Sequence, residues 1–358
     1  MAQIYTSLGS IIAHGFDTLI DVRSPDEFAE DHIPGAINLP VLSNEERAEV
    51  GTIYVQQSQF LARKIGAAMV FHNASAHIQG PLRDFHGGWR PLVYCWRGGQ
   101  RSGSFGWMLS QIGWRSDVIE GGYKTYRRLV NKMLHVDPLD FRLILLDGYT
   151  GTAKTDILHH LDARGVQMLD LEGLAEHRGS LLGGTQVAQP SQKSFESRIA
   201  ARLLELDPAR PVVVEAESNK IGERLIPPSL WSAMKTAPRI EVIASLAERT
   251  TYLVRAYTDI LSDTDRLSHQ LGKLRETRGN AVVDGWGDLI ATGDKMALTR
   301  ALIEQHYDPA YQKSRNLHGA VRLAEVAIPS LDAVGLEKAV SNIEAVLARY
   351  DQVDASDI

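Results

Sequence analysis

Short apolar runs alternate with amphipathic segments along most of the chain. Buried-strand patterns lie at 18–22, 91–94, 117–119, 142–147, 167–170, 212–215, 240–243 and 321–327. Helical patterns separate most of these runs. Strands that alternate with helices pair in parallel and are covered by helices on both faces of the sheet. The pattern therefore predicts an α/β protein with mostly parallel sheets.

Helix boundaries in the first third of the chain are marked by serine and glycine. A capping box formed by Ser43 and Glu46 predicts a helix start, and Gly51 is expected to end that helix. Another helix is expected after Ser58, running to about residue 70. A polar stretch over 72–90, containing Gly and Pro, is predicted to be irregular.

A domain boundary is predicted at 134–141, where Pro138 and polar neighbours break helical continuity. The first domain is expected to span 1–134 and the second 135–358. Within the second, about 246–305 is helical, rich in charge and without strand signals, and forms a predicted helical arm.

Composition limits the classes of protein that are possible. The 358 residues are 44% hydrophobic and 23% charged, enough for two domains with separate cores. No apolar stretch approaches the roughly 20 residues that cross a bilayer, and the N-terminus lacks the features of a signal peptide. We therefore expect a cytoplasmic protein with no membrane association.

The net charge and the spacing of histidines limit which nucleic-acid and metal partners are expected. A net charge of −6 argues against a protein that coats nucleic acid non-specifically, but it leaves room for a local basic groove. None of the twelve histidines forms a pair with metal-ligand spacing and a third ligand, so we predict no structural zinc.

The single cysteine, Cys95, follows an apolar strand and enters a glycine-rich turn that opens a helix predicted at 102–112. Arg97, Arg101 and the unpaired N–H groups at the helix start would all favour the thiolate, the reactive form of cysteine. The competing interpretation is a buried cysteine that acts only as a small hydrophobic residue. Two arginines and two glycines within six positions favour the reactive interpretation.

A second motif follows the strand at 142–147, where a Gly-x4-x-Lys-Thr loop leads into a helix. Backbone N–H groups of such a loop cradle phosphate, Lys154 can reach an outer phosphate, and Thr155 can ligand Mg²⁺ or a phosphate oxygen. Ala153 replaces the second glycine of the usual signature and is unfavourable if its φ is positive. The predicted phosphate-binding residues are Gly148, Thr150, Gly151, Thr152, Lys154 and Thr155.

Two acidic residues follow the strand at 212–215. Glu215 stands where an acidic residue would orient a metal or a water, although a polar residue at a strand end is an equally good interpretation. Glu217 is a second acidic candidate, and the pattern alone gives neither residue a role.

One face of the helix after Gly122 is basic. Lys124, Arg128 and Lys132 recur at i, i+4 and i+8, and Arg127 lies beside them. Such a face can contact nucleic-acid phosphates, whereas a solvated face is the default for any run of charges.

With both motifs identified, the chain resembles the tRNA 2-selenouridine synthase family, in which a rhodanese-like domain is fused to a P-loop domain. The resemblance spans almost the whole chain. It rests on the segments 20–25, 32–38, 51–54, 94–102, 121–124, 189–196, 217–222 and 307–311.

The resemblance implies an activity. Family members replace the sulfur of 2-thiouridine at the tRNA wobble position with selenium from selenophosphate, and they also geranylate that sulfur with geranyl diphosphate. The catalytic cysteine then corresponds to Cys95 and the phosphate loop to 148–155. The distance from Asp21 to Cys95 exceeds that of a minimal rhodanese domain, which predicts an insertion over about 44–90.

The expected partners follow from that activity. They are tRNA bound by Lys124, Arg127, Arg128 and Lys132, and an enzyme that supplies selenophosphate. Cys95 is expected to hold selenium as a perselenide stabilised by Arg97 and Arg101, and with no second cysteine the selenium must pass to a substrate. The stretch 189–198 is a candidate to close over the phosphates, with a solvated helix start as the alternative.

Two other functions are compatible with these motifs. One is a plain rhodanese-type sulfurtransferase or single-cysteine phosphatase with a nucleotide-binding regulatory domain, because cysteine-x5-arginine at a helix start also cradles a phosphate dianion. The other is a non-enzymatic nucleotide-binding module in which Cys95 is incidental. The second domain argues against the first alternative, since neither a sulfurtransferase nor a cysteine phosphatase requires such a domain.

Overall fold

The computed structural model describes residues 1–184, 187–315 and 321–356. The chain divides into two compact units. The cysteine unit comprises Met1–Asp137 and Pro190–Leu204, and the phosphate-loop unit comprises Pro138–Gln189 and Glu205–Ile358. The sequence assigned all of 135–358 to the second domain. The structure corrects this for Pro190–Leu204, because that segment packs with the first unit.

The cysteine unit is built on a five-stranded sheet in the order β1-β5-β4-β2-β3, and all its strand pairs are parallel. The strands are β1 (Ala2–Gln3), β2 (Thr18–Asp21), β3 (Ile37–Asn38), β4 (Pro91–Tyr94) and β5 (Asp117–Ile119). The central strand β4 is buried along its whole length. Its apolar side chains explain that position, since a parallel strand covered on both faces must be apolar on both sides.

Seven helices surround this sheet among the described residues. They are α1 (Leu8–Ile12), α2 (Pro25–Glu30), α3 (Asn44–Gln56), α4 (Gln59–Gln79), α5 (Gln100–Ile112), α6 (Gly122–Asn131) and α9 (Gln192–Glu205), whose last residue belongs to the other unit. A π-helical turn, Lys132–Val136, continues α6. Buried side chains from β2, β4 and α5 meet in one core that includes Cys95.

The predicted insertion over 44–90 contains two packed helices, and its helix ends differ from the prediction. Helix α3 continues through Gly51 to Gln56, and α4 runs to Gln79 rather than residue 70. The two helices pack closely enough that a β-carbon at Gly66 would lie 3.2 Å from Cγ1 of Val50. This packing stabilises a helix that an interior glycine alone would weaken.

The phosphate-loop unit has a second five-stranded parallel sheet, in the order β12-β11-β6-β8-β7. Its strands are β6 (Leu143–Asp147), β7 (Gln167–Leu169), β8 (Val212–Glu215), β11 (Arg239–Ala244) and β12 (Arg322–Ile328). A small antiparallel hairpin joins β9 (Lys220–Ile221) to β10 (Arg224–Leu225). Strands β7 and β8 lie on one side of β6, and the chain then crosses to place β11 on the other side. Ligands of α/β proteins bind at such a switch point, beyond the carboxyl ends of the strands.

Helices cover this second sheet and form the predicted helical arm. Those packed near the sheet are α7 (Lys154–Ala163), α8 (Leu171–Leu174), α10 (Pro228–Thr236), α11 (Leu246–Ala256) and α18 (Ala333–Ser356). The arm consists of α12 (Thr258–Ser262), α13 (Thr264–Gly272), α14 (Arg275–Arg278), α15 (Asn280–Thr292), α16 (Lys295–Leu302), a π-helical turn (Ile303–Tyr307) and α17 (Asp308–Arg315). The arm has its own core around the fully buried Trp286. The two parallel sheets confirm the predicted α/β class.

Within the part of the chain that the structure describes, no helix is both long and apolar enough to cross a membrane.

Candidate active sites

Cys95 lies directly after β4, in the loop that leads to α5. The residue is buried, with 4% of its surface exposed, and the hydroxyl of Ser102 donates a hydrogen bond to its Sγ atom at 3.2 Å. Gly99 is the N-cap of α5 and supplies no side-chain cap. The first N–H groups of a helix have no partner within it, and the helix dipole places partial positive charge there. The thiol therefore lies close to this helix start, and its activation as a thiolate stays a prediction.

The loop that carries Cys95 is fixed to the start of α6 by backbone contacts. The N–H group of Tyr123 donates to the carbonyl oxygen of Cys95, and that of Lys124 donates to the carbonyl of Trp96, both at 2.9 Å. Gly122 has φ +55°, and a β-carbon there would overlap the Cys95 carbonyl oxygen. Only glycine fits this contact, so the position of α6 determines the position of the Cys95 loop.

The two arginines near Cys95 have different environments. Arg97 is exposed. Arg101 donates from Nη1 to Oε2 of Glu27 at 2.7 Å. Burial works to raise the pKa of Glu27, but the hydrogen bonds and charge of Arg101, the Ser24 N–H group and the charge of Arg47 together outweigh it, and the pKa lies below its usual range. Arg101 is thus an ion-pair partner of Glu27, and the roles of Arg97 and Arg101 at the thiolate stay predictions.

The predicted basic face of α6 is present in part. Lys124, Arg128 and Lys132 are exposed, and Lys132 Nζ lies 3.8 Å from Asp137. Arg127 forms an ion pair with Glu196 of α9, whose side chain is only 4% exposed. The spacing placed Arg127 beside the exposed cations. Its side chain pairs with a buried carboxylate, and its part in tRNA binding stays a prediction.

The predicted closing stretch also has a different environment. Ser191 donates to the carbonyl of Glu30, and the amide of Gln192 donates to Glu196 at 3.0 Å, both within the cysteine unit. Gln189 belongs to the phosphate-loop unit and donates to the carbonyl of Ala175. A helix starts here, as the alternative interpretation expected, but its polar side chains have protein partners, and closure over the phosphates stays a prediction.

The phosphate loop joins β6 to α7 as predicted. Lys154 donates from Nζ to the carbonyl of Gly148 at 2.8 Å, so its side chain lies along the loop. The hydroxyl of Thr155 donates to Oε2 of Glu172 at 3.2 Å. The Gly148 N–H group contacts both Asp147 and the hydroxyl of Tyr311, at 2.9 and 3.0 Å. These contacts hold the loop at the carboxyl end of the central strand.

Ala153 adopts φ +60° and ψ +33° as the N-cap residue of α7. A left-handed conformation costs a non-glycine residue about 1 kcal/mol. Its methyl group is buried in the core of the unit, and such burial contributes about 0.8 kcal/mol. The loop therefore forms with alanine because the strain and the burial nearly cancel.

A cavity of about 680 Å³ opens beside the phosphate loop. Lys154, Arg178, Lys235, Arg239 and Arg255 contribute cations to its lining. An aromatic and apolar wall faces the same space, formed by Trp231, Met234, Tyr252, Tyr257, Tyr307 and Tyr311. The sequence analysis did not assign this wall to the site, because its members come from four separate helical segments. Only the family segment 307–311 contained a signal for two of them.

Three glutamates line the cavity, and Glu172 was not predicted. Oε1 of Glu215 accepts from the Glu172 N–H group at 3.0 Å, while its Oε2 atom is buried without a hydrogen-bond partner. Burial raises the pKa of Glu172 and Glu215, and it raises that of Glu217 to about 8, with Glu172 adding to the effect. Glu217 therefore holds a proton at neutral pH.

No group of three or more histidine, cysteine or acidic side chains within residues 1–184, 187–315 and 321–356 is arranged to hold a metal ion. The cavity combines the predicted phosphate loop, an aromatic wall and carboxyl groups.

Comparisons with known proteins identify the family of both units. Residues 6–129 match the family model of the rhodanese-like domain, and residues 141–276 match that of the tRNA 2-selenouridine synthase AAA domain. Similar proteins named tRNA 2-selenouridine synthase occur in Nitrosomonas europaea (37% identical over 72% of this chain and 69% of that protein), Nitrosomonas eutropha (32%, over 86% and 78%) and Chromohalobacter salexigens (34%, over 82% and 87%). These matches confirm the predicted resemblance.

Proposed function

Because the chain belongs to the tRNA 2-selenouridine synthase family, we propose that it geranylates 2-thiouridine at the tRNA wobble position and then replaces the sulfur with selenium from selenophosphate. The observation that carries the proposal is the presence, in one chain, of a thiol at a helix N-terminus and a phosphate cradle beside an aromatic wall. A tRNA substrate and a cytoplasmic location follow from the proposal.

The geranyl step fits the phosphate-loop cavity. The sulfur of 2-thiouridine attacks C1 of geranyl diphosphate, the C1–O bond breaks, and pyrophosphate leaves toward Lys154 and the loop N–H groups. The aromatic wall would pack against the isoprenoid chain and stabilise positive charge at C1. The N3 proton of the uridine is lost to solvent or to a carboxylate. This cavity is large enough for the diphosphate and the ten-carbon chain together.

Mg²⁺ is compatible with this site. The unpartnered Oε2 atom of Glu215 and the contact of Thr155 with Glu172 provide oxygen donors of the kind that Mg²⁺ prefers. Thr155 and Glu172 would hold the ion, which would supply neutralisation of the diphosphate charge.

The selenium step requires a different role for Cys95 from the expected perselenide. If the thiolate attacked the selenium of selenophosphate directly, the electron pair of the selenium–phosphorus bond would stay on phosphorus and phosphite would leave. An oxidant would then be needed to form phosphate. In our proposal Cys95 Sγ instead attacks C2 of the S-geranyl base, and geranylthiolate leaves. The selenium of selenophosphate then attacks C2 and releases the cysteine. Water finally cleaves the selenium–phosphorus bond, giving phosphate and 2-selenouridine. The selenium donor must come from an enzyme that makes selenophosphate.

Two variants separate the steps when thiolated tRNA, geranyl diphosphate and selenophosphate are incubated with the protein and the nucleosides are weighed by mass spectrometry. Cys95→Ala should accumulate the S-geranyl product without selenium. Lys154→Ala should lose geranylation by tenfold or more, about 1.4 kcal/mol, yet convert tRNA that already carries S-geranyl groups.

Lys338→Ala is the matched control, because this lysine is exposed on α18 and does not line the cavity. It should retain both steps. Absence of both products with the wild-type protein would overturn the proposal, and loss of neither step in either variant would refute the division of roles between the two sites.

A further inference from the structure

We propose that helix α9, which follows the phosphate loop in sequence, positions the Cys95 loop for reaction. Its Ser197 acts through two positioning residues of the cysteine unit, Asp31 and Tyr123. The inference rests on the proposed function in taking Cys95 as the nucleophile.

Helix α9 is a buried part of the cysteine unit. Its side chains Phe195, Ile199, Ala200 and Leu203 are at most 1% exposed. Polar contacts add to this packing. Lys193 donates from Nζ to Glu30 at 2.6 Å. Glu196 forms an ion pair with Arg127, and Nε2 of His135 lies 3.2 Å from its Oε1 atom. Removal of a segment this buried would expose apolar surface and leave charged side chains without partners.

Asp31 connects α9 to α6. It is buried, and its Oδ2 atom accepts hydrogen bonds from two hydroxyl groups, Ser197 Oγ at 2.9 Å and Tyr123 Oη at 2.6 Å. Arg23 donates to the Asp31 carbonyl at 2.6 Å, and its guanidinium lies 4.0 Å from the Tyr123 ring centroid. The Tyr123 side chain is therefore held at its hydroxyl by Asp31 and over its ring by Arg23.

Tyr123 transmits this position to the reactive loop. Its backbone N–H group donates to the Cys95 carbonyl, and its ring lies 5.3 Å from that of Trp96. The neighbouring Gly122 contact leaves no space for the loop to shift independently. A displacement of Tyr123 consequently moves the carbonyl of Cys95, and with it the position of the thiol relative to Ser102 and the start of α5.

The chain offers a direct measurement, because Cys95 is its only cysteine and any alkylation of the protein's thiols reports that residue. The rate of alkylation by iodoacetamide is measured from pH 5 to 10 on the full chain, without tRNA or selenophosphate. Ser197→Ala and Tyr123→Phe should each slow alkylation at pH 7 by about fivefold, the value of one hydrogen bond, and move the pH profile upward.

The double variant should be no slower than Tyr123→Phe alone, since both substitutions act on one chain of contacts. Ser194→Ala is the matched control on the same helix and should leave the profile unchanged. Circular dichroism in the near ultraviolet checks that each variant is folded. Tyr123→Phe keeps the ring and provides the test if Ser197→Ala does not fold.

A folded variant whose pH profile coincides with that of the wild type would overturn the inference, as would additive effects in the double variant. Failure of the proposed function is recognised separately. In that case Cys95→Ala would still make 2-selenouridine, whatever the alkylation profiles show.

Discussion

Single residues at the phosphate-loop site have unfavourable states that their surroundings offset. Ala153 and Glu176 are the non-glycine residues with positive φ in the described part of the chain. Ala153 combines backbone strain with a buried methyl group, and Glu217 combines burial with a retained proton. In each case the favourable packing of neighbours maintains a state that the isolated residue would avoid.

Glu217→Gln should change how stability depends on pH. The folded pKa of Glu217 is about 8 and its usual value is 4.5, so the folded state binds the proton more tightly than the unfolded state. The contribution of protonated Glu217 to the free energy of unfolding is complete below pH 4.5 and is lost as the pH rises through about 8. The variant should therefore gain stability relative to the wild type between pH 5 and 9, by about 1 kcal/mol or more.

Thermal unfolding at pH 5, 7 and 9 measures this difference. Glu276→Gln, an exposed substitution on α14, is the control and should follow the wild type at all three values. Parallel curves for Glu217→Gln and the wild type would contradict the prediction.

The sequence identified those site residues that belong to local motifs. Cys95, Lys154 and Thr155 could be found because a strand, a glycine-rich loop and a helix start follow one another directly. Glu172 and the aromatic wall could not be found this way, because only the folded sheet brings their separate segments to one cavity. The partners of Arg101 and Arg127, which are Glu27 and Glu196, could not be predicted either, because each is distant in the chain.

At the scale of elements, packing decided what local signals left open. The capping box at Ser43 correctly predicted the start of α3, yet Gly51 did not end the helix. A capping box satisfies N–H groups within a few residues, whereas the end of α3 depends on its contact with α4.

Gly51→Ala should therefore stabilise the cysteine unit by about 0.5–1 kcal/mol, because alanine is the better helix former at an interior position. A β-carbon there would approach only the flexible end of Arg47, at 3.0 Å from Nη1. Gly66→Ala is the matched comparison on α4, where the added methyl group would crowd Val50. Urea unfolding should show a gain for the first variant and a smaller gain or a loss for the second, and equal effects would contradict this explanation.

At the scale of the whole molecule, the sequence predicted two α/β domains and the order in which they occur. It did not predict that Pro190–Leu204 joins the first unit. The reason is physical. The amphipathic pattern of α9 shows that one face is buried, but it does not show which core receives that face.

The exposed cations of α6 are proposed to contact tRNA, and this contact can be tested. Replacing Lys124, Arg128 and Lys132 with Gln should weaken tRNA binding and reduce the slope of log affinity against log salt by about two, since each phosphate contact contributes about 0.7–0.9. Filter binding across a range of salt concentrations measures both. Arg63→Gln with Lys64→Gln, exposed on α4, should change the slope less, and an equal change would show a general charge effect instead.

The return of α9 to the cysteine unit also affects how the protein is made. A ribosome adds about 5–20 residues per second, so Leu204 is synthesised several seconds after Asp137. During that interval the nascent first unit lacks the helix that covers Asp31 and Arg127. Its folding can be completed only after the phosphate loop has been translated, so biosynthesis delays the finished surroundings of Cys95 until the phosphate-loop unit has begun to form.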